Sequence, residues 1–257
     1  MDNKKPLILI TNDDGYRAKG IEALIDSVKE LGEVVVVAPD GPRSGMSSAI
    51  TSLQPLRADL IKNEPDYKLY ISTGTPVDCI KLGINELAER KPDIVLSGVN
   101  HGSNAAVAVI YSGTMGAAIE GAVFKIPSIG FSLLDHDHNA DFSFAKKYIR
   151  AITEQVLKEG LPSGTCLNVN IPKGGSIKGI RVCRQTSGQW INEFMPSKDG
   201  ANKQIYWLTG DFANDEPNDD MTDEWALANG YVSVVPVKVD MTNHDHLAVI
   251  KAWESII

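Results

Sequence analysis

Residues 8–15 read ILITNDDG: four residues able to bury themselves in a sheet, then Asn12, Asp13, Asp14 and Gly15. In an extended strand neighbouring side chains point to opposite faces, so Asp13 and Asp14 can serve one site only where the strand has already broken. Asn12 and Gly15 supply that break. Adjacent carboxylates also make each other harder to ionise unless something positive sits between them. Turn chemistry alone would account for Asn, Asp and Gly here. The paired like charges at a strand end point beyond it, to a cation.

Working outward, strand-like and helix-like runs alternate. Leu7 to Thr11 is followed by Ile21, Leu24, Ile25 and Val28, the spacing of one helix face, with Gly32 as its expected end. EVVVVAPD (33–40) is a β-branched run too short for a helix and suited to a strand covered on both faces. Tyr67 to Thr73 predicts another strand. GTPVDCIKLGINEL (74–87) predicts a helix with Thr75 as N-cap, Pro76 at its first position and Val77, Ile80, Ile84 and Leu87 inward. PDIVLSGVN (92–100) then gives a buried strand with a polar end. Such alternation implies right-handed crossovers and a doubly wound, Rossmann-like, mostly parallel α/β sheet. Ligands of that fold bind beyond the carboxyl ends of the strands, where NDDG, APDGPRSG and SGVNHGSN fall.

The pattern changes past residue 160. CLNVNIP and GIRVCRQ read as strands, and residues 190–212 as a long hairpin around an Asp-Gly turn. An isolated hairpin is marginal in water, so Trp190, Phe194, Tyr206 and Trp207 need a partner: either their own domain or, as a C-terminal arm used in oligomerisation, a second subunit. DFANDEPNDD (211–220) reads as a solvated acidic loop, and YVSVVPV as a closing strand whose Pro236 suggests an edge. The expected organisation is a single domain over 1–257, with the arm and acidic loop within 185–225.

The chain has 257 residues, 43% hydrophobic and 23% charged, which is ordinary globular usage. Its net charge of −8, without a basic run, argues against nucleic acid as a partner. Cys79, Cys166 and Cys183 lie far apart without a CxxC pair and read as buried small hydrophobes in a reducing compartment. No signal h-region and no stretch of 18 apolar residues is found, so the expected location is cytoplasmic, with no membrane partner.

Ser44, in PRSG, and Asn100, in SGVN, fall at the same sheet edge as the two aspartates. Singly they read as a cap and a left-handed turn. Together, two carboxylates, an amide oxygen and a hydroxyl form the all-oxygen set that hard divalent ions such as Mg²⁺ or Mn²⁺ prefer. Ser112, Gly113 and Thr114 open a helix rich in small residues, where free amides and two hydroxyls suit an anion such as phosphate; capping alone is the other reading. His136 with His138, and His244 with His246, form two His-x-His pairs that read as solvated loops or, if they met, as a zinc site. The patterns of α/β-hydrolase elbows, P-loops and dinucleotide-binding turns do not occur.

ILITNDDGYRAKGI, VVVVAPDGPRSG, GTPVDC, LSGVNHGSN, YSGTMGAAIEG and ANGYVSVVPV, taken in order, resemble SurE, the stationary-phase survival protein family. The resemblance implies a metal-dependent 5′-nucleotidase that hydrolyses nucleoside monophosphates, with 3′-nucleotidase and exopolyphosphatase activity in some members. It implies one divalent ion on Asp13, Asp14, Ser44 and Asn100, and phosphate beside Ser112, Gly113 and Thr114. Metal-activated water would attack phosphorus, with Asp14 nominated as base and Asp13 as the other catalytic carboxylate. Homodimers or homotetramers built through C-terminal segments are also implied. One position departs: relatives often carry His or Asn where this chain has Ser48, so no role is carried over to it. The competing readings are a nucleotide-binding stress-response module without turnover and an aspartyl-phosphate phosphatase. The latter places one residue between its aspartates, which are adjacent here.

Overall fold

The computed structural model describes residues 4–137, 139–174 and 176–256. The chain runs β1 (Leu7–Thr11), α1 (Lys19–Val28), β2 (Glu33–Pro39), β3 (Ala58–Glu64), β4 (Tyr67–Ser72), α2 (Pro76–Leu82), β5 (Ile94–His101), α3 (Gly113–Val123), β6 (Ser128–Leu133), α4 (Lys146–Glu159) and β7 (Thr165–Ile171). It continues through β8 (Ile180–Val182), β9 (Gly188–Ile191), β10 (Phe194–Lys198), β11 (Gln204–Leu208), β12 (Asp211–Asn214), α5 (Asp223–Ala228), β13 (Val232–Lys238) and α6 (His244–Ile250).

Nine strands form one sheet in the order β3-β4-β2-β1-β5-β6-β7-β13-β8. From β4 to β7 every pairing is parallel. From β1 the chain winds outward through β2 to β4, then crosses back to β5 on the other side of β1. The switch point of the doubly wound sheet therefore lies between β1 and β5. Both faces are covered, as the unbroken apolar runs require. Ile8 and Ile10 of β1 pack with Ile21 and Leu24 of α1 and Ile149 of α4. Leu7 and Leu9 face the opposite way, onto Cys79 and Ile80 of α2 and Ala117 of α3. A one-residue slip of β1 would turn Asp13 and both apolar sets to the wrong sides.

The predicted N-cap of α2 is present as a full capping box: Asp78 N–H donates to Thr75 Oγ1 at 3.1 Å and Thr75 N–H donates to Asp78 Oδ2 at 3.0 Å. The inward set is split, because α2 stops at Leu82 and a π-helical turn (Gly83–Leu87) carries Ile84 and Leu87. α1 ends at Val28, a turn ahead of Gly32. β3, β6 and α4 extend the predicted series. β3 is an exposed antiparallel edge with no apolar alternation to reveal it, whereas the buried Ile149, Ile152, Thr153 and Val156 give α4 an ordinary helical stripe.

Two expectations in the last third are corrected. Asp211–Asn214 is not loop but strand β12, held against β9 by a ladder in which Phe212 meets Trp190 edge to face at 5.9 Å. The remainder of the acidic stretch is tied down by Arg184, whose guanidinium donates to Glu216 and Asp219. Pro236 does not lie on the outermost strand: β13 pairs with β7 along its length and with β8 through Val232–Val234. Pro236 lies beyond the short β8, so its missing N–H leaves no ladder unfilled.

The hairpin is present in two stages, β9 with β12 and then β10 with β11. Its root packs on the domain, while Phe194, Tyr206 and Trp207 are 64%, 65% and 57% exposed. All three cysteines are free and buried, and burial pushes the Cys79 and Cys166 thiols up to about 12. Among the described residues no helix is long and apolar enough to cross a membrane.

Candidate metal and substrate centre

A cavity of about 390 Å³ opens where β1 and β5 end, and Asp13, Asp14, Ser44 and Asn100 all line it. Each arrives on a separate local device. After β1 the chain turns through Gly15 at φ +94°, a left-handed value that glycine adopts without strain, and Asn12 Nδ2 donates to Gly15 O at 2.9 Å. That turn breaks the alternation and lets neighbouring aspartates share one space. The loop bearing Ser44 is fastened by Arg43 N–H donating to Asp13 O at 2.7 Å. Asn100, at the end of β5, gives its amide N–H to Gly102 O at 2.9 Å and to His101 O at 3.3 Å. Its Oδ1 accepts from no donor among the described residues.

Asp13 is buried. Loss of solvent, with the charge of Asp14 beside it, pushes its pKa up to about 6, even though Thr114 works in the other direction. The Thr114 hydroxyl donates to Asp13 Oδ1 at 2.5 Å. Asp14 Oδ2 meets His101 Nδ1 at 3.1 Å, and the His101 ring stands edge-on to Phe142 at 4.9 Å. No Lys or Arg lines this cavity among the described residues; the nearby Arg43 guanidinium is spent on Asp40 at 2.7 Å.

Of the predicted anion triad, Ser112 alone lines the cavity. Its Oγ caps α3 by accepting from Met115 N–H at 3.0 Å. Gly113 and Thr114 serve Asp13 instead. A Cβ on residue 113 would stand 2.9 Å from Asp13 Cβ, so only glycine lets the start of α3 come this close. The Thr114 side chain is fully buried and turned onto Asp13, away from the cavity.

Other polar and aromatic residues close in sequence to these elements separate in space. Ser48 lines a different cavity, against Val109 and Pro236. Tyr16 packs against the core beside α1, with Arg17 over its ring at 5.0 Å, whereas Tyr111 lines the central cavity and is half exposed. His136 also lines the cavity, and His138 lies outside the described residues. His244 pairs with Asp240 at 2.7 Å on the exposed α6. Among the described residues no cluster of three or more His, Cys, Asp or Glu side chains could hold a metal.

Sequence reasoning missed His101, although it stands inside SGVNHGSN directly after Asn100. It also missed Asn104, whose backbone and side chain are held by Asn170, Ser132 and Asn168 in a buried network that fixes the loop after β5. Trp190, Glu193, Leu208 and Thr209 reach the cavity from the hairpin, and nothing local in the sequence places them there.

A doubly wound sheet with paired carboxylates, an amide oxygen and a helix start gathered at its switch point defines an α/β protein with an acidic, cation-suited ligand site. The chain belongs to the SurE family: the model described as "Survival protein SurE" matches residues 8–192. Relatives named "5'-nucleotidase SurE" include that of Bacteroides fragilis, 52% identical over 256 residues, covering 99% of this chain and 100% of the relative. That of Phocaeicola vulgatus is 51% identical over 253 residues, covering 98% of each chain. Among solved structures, the SurE protein from Aquifex aeolicus aligns with a TM-score of 0.82 at 41% identity, covering 97% of this chain and 100% of that one.

Proposed function

We propose that the protein is a divalent-metal-dependent nucleotidase that hydrolyses nucleoside monophosphates to nucleoside and phosphate. The observation that carries this reading is electrostatic. The cavity presents two adjacent carboxylates, one of them buried, and no Lys or Arg among the described residues, its nitrogen bases being only the His101 and His136 imidazoles. A phosphate dianion cannot approach such a site without a cation between it and the aspartates. The donors fit a hard ion: carboxylate oxygens from Asp13 and Asp14, the unpartnered Asn100 Oδ1 and the Ser44 hydroxyl, all oxygen, with space for water. One Mg²⁺ or Mn²⁺ is the best match to that set.

When bound, such an ion supplies a Lewis acid for the phosphoryl group and makes water a stronger nucleophile at neutral pH. The chain's own groups do the rest. Asp13 is held by the Thr114 hydroxyl, so its lone pairs stay aimed at one place. Asp14, oriented by His101, accepts a proton from the attacking water. Ser112 and the start of α3 lie where charge builds on the phosphoryl oxygens, and the positive end of the helix dipole favours that charge.

The direct test is phosphate release from AMP or GMP with Mg²⁺ or Mn²⁺, against an EDTA-treated control. Turnover that survives chelation rejects the metal reading, and ligand binding without turnover rejects the enzyme. A second prediction concerns His101. His101→Ala should weaken Mn²⁺ binding by about tenfold or more, the usual effect of losing a group that orients a ligand. His101→Asn should restore much of this, because an amide N–H can stand where Nδ1 stands, while His101→Gln, which reaches further, should not. Calorimetric Mn²⁺ titration of the three variants reads this out.

The arm is assigned to self-association in a homodimer or homotetramer. Its exposed Phe194, Tyr206 and Trp207 cannot hold a two-stranded ribbon rigid by themselves. Sedimentation should show an oligomer, dissociated when Phe194 and Trp207 are replaced by Ser. A monomeric wild type rejects the assignment.

A further inference from the structure

The hairpin arm is interrupted on both strands at one level. Between β9 and β10 the chain passes through Asn192 at φ +55°, and between β11 and β12 through Gly210 at φ +135°. Thr209 bridges the gap, its N–H donating to Glu193 O at 2.8 Å and its hydroxyl to Asn192 O at 3.0 Å. The break stands beside the cavity, and Trp190, Glu193, Leu208 and Thr209 line its wall opposite Asp13 and Asp14.

The chemistry of this wall differs from that of the floor. Trp190, 37% exposed, leans on Phe212 and offers the rest of its ring, with Leu208 beside it and Tyr111 across the same cavity. The Glu193 carboxylate has no hydrogen bond or ion pair among the described residues. A carboxylate accepts only, and a phosphate would be repelled by it, so Glu193 suits a part of the ligand that is uncharged and rich in donors.

We infer that the break in the arm forms the nucleoside end of the cavity, with Trp190 stacking on the base and Glu193 accepting hydrogen bonds from paired donors of the nucleoside. This rests on the nucleotidase reading of the same cavity. Two parts of a nucleoside present donors in pairs: the 2′,3′-diol of ribose, and the N1–H and amino edge of guanine. Stacking tolerates any base, so Trp190 sets affinity and Glu193 sets preference.

The test compares kcat/KM for GMP, AMP, their 2′-deoxy forms and glycerol phosphate, which has no base to place. In Trp190→Ala the ratio of nucleotide to glycerol phosphate turnover should fall about tenfold, the usual value of one base stack. In Glu193→Gln, which leaves the arm's backbone contacts intact, the ratio should fall about tenfold as well, as expected for losing hydrogen bonds to a charged acceptor. A fall confined to GMP and dGMP identifies the guanine edge; a fall seen with AMP and GMP but absent from both deoxy forms identifies the ribose diol. Ratios that do not move in Glu193→Gln overturn the inference, as does a fall in glycerol phosphate turnover equal to that of the nucleotides. If the wild type releases phosphate from none of these compounds, the nucleotidase reading fails by itself. The subsite is then judged by calorimetric binding of guanosine and adenosine, which Trp190→Ala should weaken about tenfold and which must be detectable in the wild type for the inference to stand.

Discussion

Asp13→Asn is expected to remove metal-dependent turnover, by about a thousandfold or more, while making the metal-free protein more stable at pH 8. The first effect follows from losing a charged ligand, since a bound ion contributes several kcal/mol to the transition state and ~4 kcal/mol corresponds to about a thousandfold. The second follows from burial. In the folded metal-free chain the Asp13 pKa rises from 3.8 to about 6. A carboxyl whose folded pKa is raised adds stability in acid, fully present below its unfolded pKa, and loses it as the pH climbs through the folded value. Between pH 4 and pH 7 the wild type therefore loses about 3 kcal/mol relative to a variant that cannot ionise there. For a chain of this size that difference moves the melting temperature by roughly 5–10 °C. Melting curves at pH 4 and pH 8, with EDTA, should show the two proteins alike in acid and the variant higher at pH 8. Mn²⁺ should raise the wild type's melting temperature at pH 8 by more than the variant's. A variant that melts lower than wild type at pH 8 in EDTA would mean that Asp13 is not the strained, cation-seeking group described above.

How far the site was legible follows from where its residues sit along the chain. Asp13, Asp14, Ser44 and Asn100 lie directly after apolar runs, so reading strand ends was enough to find them, and the parallel topology says which edge they share. Thr114 was equally visible, yet its hydroxyl direction depends on how closely α3 approaches β1, which Gly113 permits and no periodicity encodes. His101 follows Asn100 directly, and regular strand alternation would put the two on opposite faces; β5 pairs irregularly with β6 between Ser97 and Asn100, so alternation does not place His101. Trp190 and Glu193 were visible only as members of a hairpin. Their place depends on where the arm bends, a three-dimensional fact about residues more than 170 positions after Asp13.

Asp223 is the plainest case of a residue the sequence hides, because it reads as one more charge beside an acidic loop, and its replacement should give the largest loss of stability of any single carboxylate here. It is fully buried. Its Oδ2 accepts from Ala106 N–H at 2.9 Å, and its Oδ1 accepts from Thr186 N–H at 3.0 Å, from the Thr186 hydroxyl at 2.5 Å and from Glu224 N–H at 2.9 Å. Ala106 opens the 3₁₀ turn (Ala106–Ile110) that leads through Tyr111 and Ser112 into α3, and it does so at φ +50°. Thr186 lies just before β9, at the root of the arm. One carboxylate thus joins the segment that carries Ser112 to the segment that carries Trp190. Asp223→Ala leaves the Ala106 and Thr186 N–H groups and the Thr186 hydroxyl without their acceptor in a dry interior, while Glu224 N–H keeps only Thr186 Oγ1 at 3.1 Å, and should cost about 3–5 kcal/mol, the range for breaking a buried charged network. Asp223→Asn keeps the shape but turns an amide N–H toward groups that are themselves donors, so it should recover only part of the loss. The Ser112 side and the Trp190 side of the cavity both hang on this joint. KM for nucleotides should therefore rise in Asp223→Asn at temperatures where the variant is still folded, while Mn²⁺ affinity, whose proposed donors follow β1, β2 and β5, should stay within about twofold, as additivity of separate sites predicts. Urea titration gives the first quantity, and kinetics with metal titration gives the other two. A loss under 1 kcal/mol in Asp223→Ala would show that the joint carries no load.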